Sequence, residues 1–241
     1  MNRTTAPVDV GRRAVAELVG TAFLVAAVIG SGIAAARLSP NDVGLQLLEN
    51  SLATGAVLVA LILALQPVSA AFNPVVTLIE RGLGLLTTTT AAVLIAAQVV
   101  GGVTGAVVAN LMFDLDPVTI SSHDRMGGNL LLAEIVATVG LVVVIFGSMR
   151  TGRTTIAFAV GGYITAAYWF TASTSFANPA VTIARMFSDT FAGISPSSVP
   201  WFVLAQLVGG ALAAVLVRYL YPHTTAAAVL TGAGNGTQET P

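Results

Sequence analysis

The two Asn-Pro pairs are the residues of this chain best suited to chemistry. Asn73-Pro74 and Asn178-Pro179 lie 105 residues apart (178 − 73). Asn is a favoured helix N-cap and Pro is the favoured first helical residue, so each pair predicts a helix start. When the side-chain oxygen of an Asn caps its own helix, its NH₂ group can still donate to another oxygen. The pairs therefore predict two hydrogen-bond donors, each at the positive end of a helix dipole.

The helices that follow these pairs are too short to cross a bilayer. They are predicted from Asn73 to Arg81 and from Asn178 to about Arg185. At about 1.5 Å per residue, each covers less than half of a hydrocarbon core of about 30 Å. A helix that begins at membrane depth exposes unpaired N–H groups, which are tolerated only inside protein or along a water-filled cavity. Two such half-helices predict a shared aqueous path.

The composition places the rest of the chain in a membrane. Of its 241 residues, 55% are hydrophobic and only 9% are charged, and the mean hydropathy is +0.86; these values indicate an integral membrane protein. The absence of cysteine excludes disulfides and thiolate catalysis. His123 and His223 lie in polar connecting or tail segments, so we expect no metal and no cofactor. The formal charge of −1 does not indicate a nucleic-acid partner.

Six membrane-spanning helices are predicted, with the half-helices between spans two and three and between spans five and six. The spans cover about 14–36, 44–66, 88–112, 129–148, 155–172 and 199–221. We predict a cytoplasmic N-terminal segment (1–13), a single transmembrane channel domain (14–221) and a disordered cytoplasmic tail (222–241). With both termini cytoplasmic, seven of the ten arginines lie inside, as the positive-inside rule requires.

An internal repeat relates the two halves of the domain, about 14–113 and 129–221. Three landmarks recur in the same order, and they pair Glu17 with Glu134, Asn73 with Asn178 and Gln98 with Gln206. Each half has three spans, an odd number, so the second half must be inserted upside down relative to the first. The predicted fold is therefore an all-α membrane protein, with six spans and two re-entrant half-helices in an inverted repeat.

Glu17 and Glu134 lie inside predicted spans, where a charge is costly and is usually functional or internally paired. Our preferred interpretation is that each carboxylate accepts N–H groups of the adjacent re-entrant loop. A proton relay in a coupled carrier is the alternative.

These motifs resemble the major intrinsic protein family, the aquaporins and aquaglyceroporins, over about residues 12–221. The resemblance implies a homotetramer with one pore per subunit and passage of small neutral solutes. It also implies that the two motifs meet at mid-membrane; they consist of Asn73, Pro74 and Val75 and of Asn178, Pro179 and Ala180. The first motif carries Val75 where Ala is usual, and Ala71 stands where many members have His.

The main departure from the family pattern is Val181, at the position where members generally carry the arginine of their selectivity filter. Its loss predicts a wider and more apolar constriction, because a fixed charge and several donors are missing. The other filter positions align with Thr54 on span two, with Tyr163 or Ile164 on span five, and with Ser175 or Phe176 in the outer loop.

Val181 and the preceding stretch 174–177 are similar to a bacterial aquaglyceroporin subgroup associated with arsenic resistance. This similarity implies a channel of the bacterial inner membrane that passes neutral arsenous acid. The sequence does not decide among water, glycerol, arsenous acid and other neutral metalloid hydroxides.

Arg185 allows two interpretations. It follows Val181 by four residues and so lies one turn later on the same helix face. It either holds a charge over the outer mouth, beside Phe176, or it caps the half-helix and faces lipid headgroups as Arg81 does at the other face. We favour the second interpretation.

Three other functions remain beside a passive channel of this kind. A coupled secondary carrier also uses inverted repeats and broken helices, but the spans offer only Glu17, Glu49 and Glu134 with no paired cation. A mainly water-selective aquaporin or a structural junction protein is also possible. Catalysis is not expected, because the chain has no nucleophile-base pair, metal cluster or phosphate loop.

Overall fold

The computed structural model describes residues 8–149 and 151–221, and within them it contains eight α-helices and no β-strand. The predicted all-α fold is confirmed. The helices are α1 (Val10–Leu38), α2 (Val43–Leu65), α3 (Pro74–Gly82), α4 (Thr88–Met112), α5 (Gly128–Ser148), α6 (Arg153–Phe170), α7 (Pro179–Arg185) and α8 (Val199–Leu220). Helices α3 and α7 are the two half-helices.

Five of these helices are long and apolar enough to cross a membrane, namely α1, α2, α4, α5 and α8. Helix α6 corresponds to the predicted fifth span, but it has only 18 residues and carries glycine, threonine and tyrosine along its length. Helix α1 begins at Val10, before the predicted span, because the Asp9 side chain caps it by accepting from the backbone N–H of Gly11. The predicted tail (222–241) lies outside the described residues.

The short helices begin where the Asn-Pro pairs predict. Asn73 is extended (φ −153°) and its side chain accepts from the backbone N–H of Val75, while Asn178 accepts from the N–H groups of Ala180 and Val181. Pro follows at the first helical position in both. Helix α3 has nine residues and α7 has seven, so each reaches only part of the way across a bilayer.

Close helix contacts in both halves depend on glycine. Helix α4 packs along α1 and helix α8 packs along α5. A methyl group at Gly101 or Gly105 would overlap the backbone carbonyl of Leu18 or Ala22 on α1. A methyl at Gly209 would lie 2.7 Å from the carbonyl oxygen of Ile135 on α5. Small residues therefore bring equivalent helix pairs into backbone contact in each half, as is common in membrane helices.

Candidate functional site

The two half-helix N-termini are linked to each other at the centre of the molecule. The Nδ2 of Asn73 donates to the carbonyl oxygen of Ala177 at 2.8 Å, and the Nδ2 of Asn178 donates to the carbonyl oxygen of Phe72 at 2.7 Å. Each asparagine thus uses one N–H to hold the opposite loop, which the sequence did not predict. An amide NH₂ has two N–H groups, and both asparagines border the central cavity. One donor of each remains available to a solute.

The loop before α3 is held by the carboxylate of Glu17, which is fully buried in α1. It accepts from the backbone N–H groups of Ala71 and Phe72 at 2.9 and 2.7 Å. It also accepts from the Oγ of Ser69 at 2.5 Å and from the Nε2 of Gln98 at 2.8 Å. Four donors around one carboxylate leave it well satisfied without any cation.

The loop before α7 is held in the same way by Glu134, which is fully buried in α5. Its carboxylate accepts from the backbone N–H groups of Phe176 and Ala177, both at 2.9 Å, and from the Nε2 of Gln206 at 2.6 Å. Neither Glu134 nor Glu17 is among the residues that line the cavity. Both carboxylates therefore contact the loops rather than the solute path.

The same loops contain left-handed backbone at residues other than glycine. Phe72, Thr174, Ser175 and Ala177 have φ between 47° and 62°. Such conformations are unfavourable for residues with a Cβ and persist where the surroundings hold them. The carboxylate bonds to Phe72 and Ala177 supply that restraint. Strain in the loops thus accompanies the placement of both asparagines at the cavity.

A cavity of about 350 Å³ is bordered by residues of both half-helices. Its apolar wall comes from helices that each present residues four positions apart, so that they share one face. These residues are Leu24 and Val28 on α1, Leu58 and Ile62 on α2, Leu141 and Ile145 on α5, and Ile156, Val160 and Ile164 on α6. Asn73, Asn178 and the loop residues border the cavity from another side. A path with one apolar and one hydrogen-bonding side suits a small molecule that has both kinds of surface.

Most of the predicted filter residues line this cavity, and one does not. Thr54, Ser175 and Val181 border it, as does Ile164, the alternative on α6. Tyr163 does not: its hydroxyl donates to the Ala137 carbonyl oxygen on α5 at 3.0 Å. The prediction for Tyr163 is wrong because one step along a helix turns the side chain by about 100°.

Tyr168 also lines the cavity, and the sequence analysis missed it. Its hydroxyl lies 3.1 Å from the Oγ1 of Thr54. Tyr168 follows Ile164 by four residues and so continues the same α6 face. Extending that face by one turn from Ile164 would have found it.

The half-helices are linked at their N-termini, so we infer that their last turns lie toward opposite ends of the cavity. We call these ends the Arg13 mouth and the Arg185 mouth, after the arginines that line the cavity. The Arg13 mouth also contains Gln66 and Glu80. It therefore carries side chains of both charge signs.

Arg185 is only 3% exposed, and it does not face lipid headgroups. Its Nε donates to the carbonyl oxygen of Ala192, and its Cζ lies 3.4 Å from the centre of the Phe176 ring. Our favoured interpretation of Arg185 is therefore wrong, because the loop after α7 folds over the side chain and encloses it. Arg81 is exposed, and its Nε donates to the Oγ1 of Thr88 at 3.1 Å.

The segment that joins α4 to α5 is hydrogen-bonded to the loop after α7. Arg125 of this segment donates from Nε to the carbonyl oxygen of Gly193 at 2.8 Å, and its Cζ lies 5.0 Å from the centre of the Phe176 ring. Burial lowers the pKa of Arg125 below its ordinary value. Asp189 accepts from the backbone N–H of Ser122, which lowers the pKa of that carboxyl. Among residues 8–149 and 151–221, His, Asp and Glu form no group of three or more that could hold a metal.

Comparison with known proteins agrees with this geometry. The Major intrinsic protein family model matches residues 4–156 and again residues 149–239. The chain is 50% identical over 213 residues to "Aquaglyceroporin AqpS" of Rhizobium meliloti (strain 1021), covering 88% of this chain and 91% of that protein. The fold matches the X-ray structure of the aquaglyceroporin from Plasmodium falciparum with a TM-score of 0.65 at 17% identity, over 90% of this chain and 97% of that one.

Each of the two family matches contains one of the half-helices, α3 in the first match and α7 in the second. The half-helices that begin at Asn73 and Asn178 provide the corresponding feature of the structure. From these agreements we conclude that this multi-pass membrane protein belongs to the major intrinsic protein family.

Proposed function

We propose that this protein is a passive channel for small uncharged solutes that carry hydroxyl groups, including water, glycerol-like polyols and neutral metalloid hydroxides such as arsenous acid. The observation that carries the proposal is the pair of amide donors from Asn73 and Asn178 at one cavity. Each donor stands at a positive helix end, and this arrangement favours a solute oxygen and disfavours a cation.

Val181 supports a solute larger than water. It aligns with the usual filter arginine and adds an apolar surface to the cavity, which the hydroxyl-bearing residues Thr54 and Tyr168 also line. A polyol or a metalloid trihydroxide needs hydroxyl partners together with apolar clearance. The relative with 50% identity is named an aquaglyceroporin, which agrees with this solute class.

The placement of the carboxylates favours passive flow over coupled transport. A proton relay would have to exchange protons with the solute path, but Glu17 and Glu134 lie outside the cavity lining and are bound by loop and glutamine donors. We propose no catalysis.

The cellular setting is part of the same proposal. We place the protein in the bacterial inner membrane with both termini cytoplasmic, and the Arg13 mouth then opens to the cytoplasm. We also propose a homotetramer with one pore per subunit, as the resemblance to the family implies. The single transmembrane channel domain, residues 14–221, contains the whole cavity except Arg13.

The test is solute flux into proteoliposomes, measured by stopped-flow light scattering with water, glycerol and arsenite. We expect wild-type flux that rises linearly with solute concentration and does not respond to a proton gradient. Val181→Arg should reduce glycerol and arsenite flux by about tenfold or more, equivalent to about 1.4 kcal/mol on the barrier, and retain water flux.

Val181→Leu is the matched control, because it adds volume without charge or donors. It should lower the flux of the larger solutes less than Val181→Arg does. If Val181→Arg left all three permeabilities unchanged, Val181 would not lie at the selective part of the path. Saturating flux driven by a proton gradient would favour the carrier.

A further inference from the structure

The guanidinium of Arg185 is buried without a counter-charge. Among the described residues, the one ion pair within 4.0 Å joins His123 and Asp189. The Nε of Arg185 donates to Ala192, and no other hydrogen bond of this side chain is formed within the described part of the chain. Its Nη atoms are also absent from the fully enclosed polar atoms that lack a partner. They therefore retain access to open space, and Arg185 borders the cavity.

A buried charge with no carboxylate needs another source of solvation. Removing a guanidinium from water is strongly unfavourable unless nearby groups replace its hydration. The Phe176 ring replaces part of it through a cation–π contact, since the guanidinium carbon lies 3.4 Å from the ring centre. The Nη groups must obtain the rest from water or solute oxygen in the cavity.

Phe176 is itself held firmly in place. Its ring makes an edge contact with Phe202, with centres 5.3 Å apart, and its backbone N–H donates to Glu134. Arg125 lies on the same ring at 5.0 Å. The ring that contacts the Arg185 guanidinium therefore belongs to a residue whose backbone is hydrogen-bonded to Glu134.

We propose that Arg185 is the residue that excludes cations and orients solute oxygens at the Arg185 mouth, with Phe176 as its support. This inference rests on the proposed function. Arg185 follows Val181 by four residues, so its charge lies one helical turn after Val181 on the same face of α7. The Nη groups donate to one oxygen of a passing neutral hydroxylated solute, and the positive charge repels alkali cations and hydronium.

The test measures ion leak and glycerol flux in the same proteoliposomes. Arg185→Met keeps a long apolar side chain on Phe176 but removes the charge. We expect its sodium leak, measured with an entrapped sodium-sensitive dye, to rise about tenfold or more, because a nearby unit charge in a medium of reduced dielectric is worth at least that factor. Arg81→Met is the matched control and should stay within about twofold of wild type, since Arg81 is exposed and its loss leaves the cavity unchanged.

Three further variants separate charge from packing. Arg185→Lys retains the charge and should stay as impermeable to sodium as wild type, with altered glycerol flux because the planar donor fork is lost. Phe176→Leu leaves Arg185 present but unsupported and should give an intermediate leak. Adding Val181→Arg to Arg185→Met should restore the exclusion of sodium.

Several outcomes would overturn the inference. It fails if Arg185→Met leaks no more than Arg81→Met, or if Arg185→Lys leaks as much as Arg185→Met. If Arg185→Met does not fold, the sodium leak of Arg185→Lys and Phe176→Leu tests the inference instead. A wild-type protein that passes no glycerol would count against the proposed function, whereas a conducting wild type with a sodium-impermeable Arg185→Met overturns this inference alone.

Discussion

The two re-entrant loops are held by almost the same hydrogen bonds, but the half-helices that follow them end differently. In the first half, Gln98 joins the carboxylate of Glu17 to the hydroxyl of Thr77, at 2.8 and 2.9 Å. In the second half, Gln206 makes the corresponding bonds to Glu134 and Thr182, at 2.6 and 2.8 Å. The repeat thus extends from the backbone to individual side-chain hydrogen bonds.

The difference appears in the last turn of each half-helix. Arg81 does not line the cavity and donates a hydrogen bond to Thr88 of α4, whereas Arg185 is enclosed and borders the cavity. One mouth combines Arg13 with Glu80, and the other presents Arg185. The repeated scaffold therefore positions the central donors, while the unrepeated ends determine which charges a solute meets.

The largest expected effect concerns the carboxylates. Glu17→Gln should lower the free energy of unfolding by about 3 kcal/mol or more, because charge-assisted bonds are lost and an NH₂ then faces other donors. Glu134→Gln should lower the free energy of unfolding somewhat less, since Glu134 accepts from three groups and Glu17 from four. The measurement is thermal unfolding of the detergent-solubilised protein, followed by tryptophan fluorescence.

Glu49→Gln is the control for both carboxylate variants. Glu49 accepts one bond, from Ser39, and its second oxygen is buried without a partner in the described structure. We expect a change below about 1 kcal/mol for this variant. Equal losses in all three variants would show that the loop bonds are not what stabilises the two halves.

A medium effect is expected at the glycine contacts. Gly101→Ala should lower the free energy of unfolding by about 1–3 kcal/mol, because its methyl overlaps the Leu18 backbone. Gly209→Ala should cost less, as its methyl meets the carbonyl oxygen of Ile135 at 2.7 Å. Gly162→Ala is the control, because nothing lies within 4 Å of the added methyl. The same thermal unfolding assay ranks the three variants, and a Gly101→Ala protein as stable as Gly162→Ala would contradict close packing of α1 and α4.

The smallest expected effect concerns Ser69, whose hydroxyl is the extra donor on Glu17. Ser69→Ala should reduce the free energy of unfolding by about 1 kcal/mol, since one hydrogen bond is lost. Thr174 lies at the equivalent position of the second loop (69 + 105) and makes no bond to Glu134 in the described structure. Thr174→Ala should therefore change stability by less than about 0.5 kcal/mol. A larger loss for Thr174→Ala would reverse the proposed asymmetry.

Much of the fold could be predicted because its signals are local. Asn-Pro pairs start helices through their own backbone and side chains, and hydrophobic length marks the spans. The order of landmarks then requires the inverted repeat. Helix α6 gave the weakest signal, because the residues along its cavity-facing side share the helix with glycine and threonine that dilute its hydropathy.

The residues that line the cavity were harder to predict, because the direction of a side chain depends on how its helix is rotated. Tyr163 was assigned to the filter by alignment, but α6 turns it toward α5 and places Ile164 and Tyr168 at the cavity. The cross-links from Asn73 to Ala177 and from Asn178 to Phe72 join residues 104 and 106 positions apart. No local pattern encodes such contacts.

Composition, local helix-start motifs and recurring landmarks were enough to predict the membrane class, the helix starts, the repeat and two amide donors, because each can be read directly from the sequence. Which side chains border the cavity, and the enclosure of Arg185 on Phe176, became known only from the folded chain. The direction of a side chain depends on how its helix is rotated and on which distant loop folds over it. Both are set by packing between segments far apart in the chain.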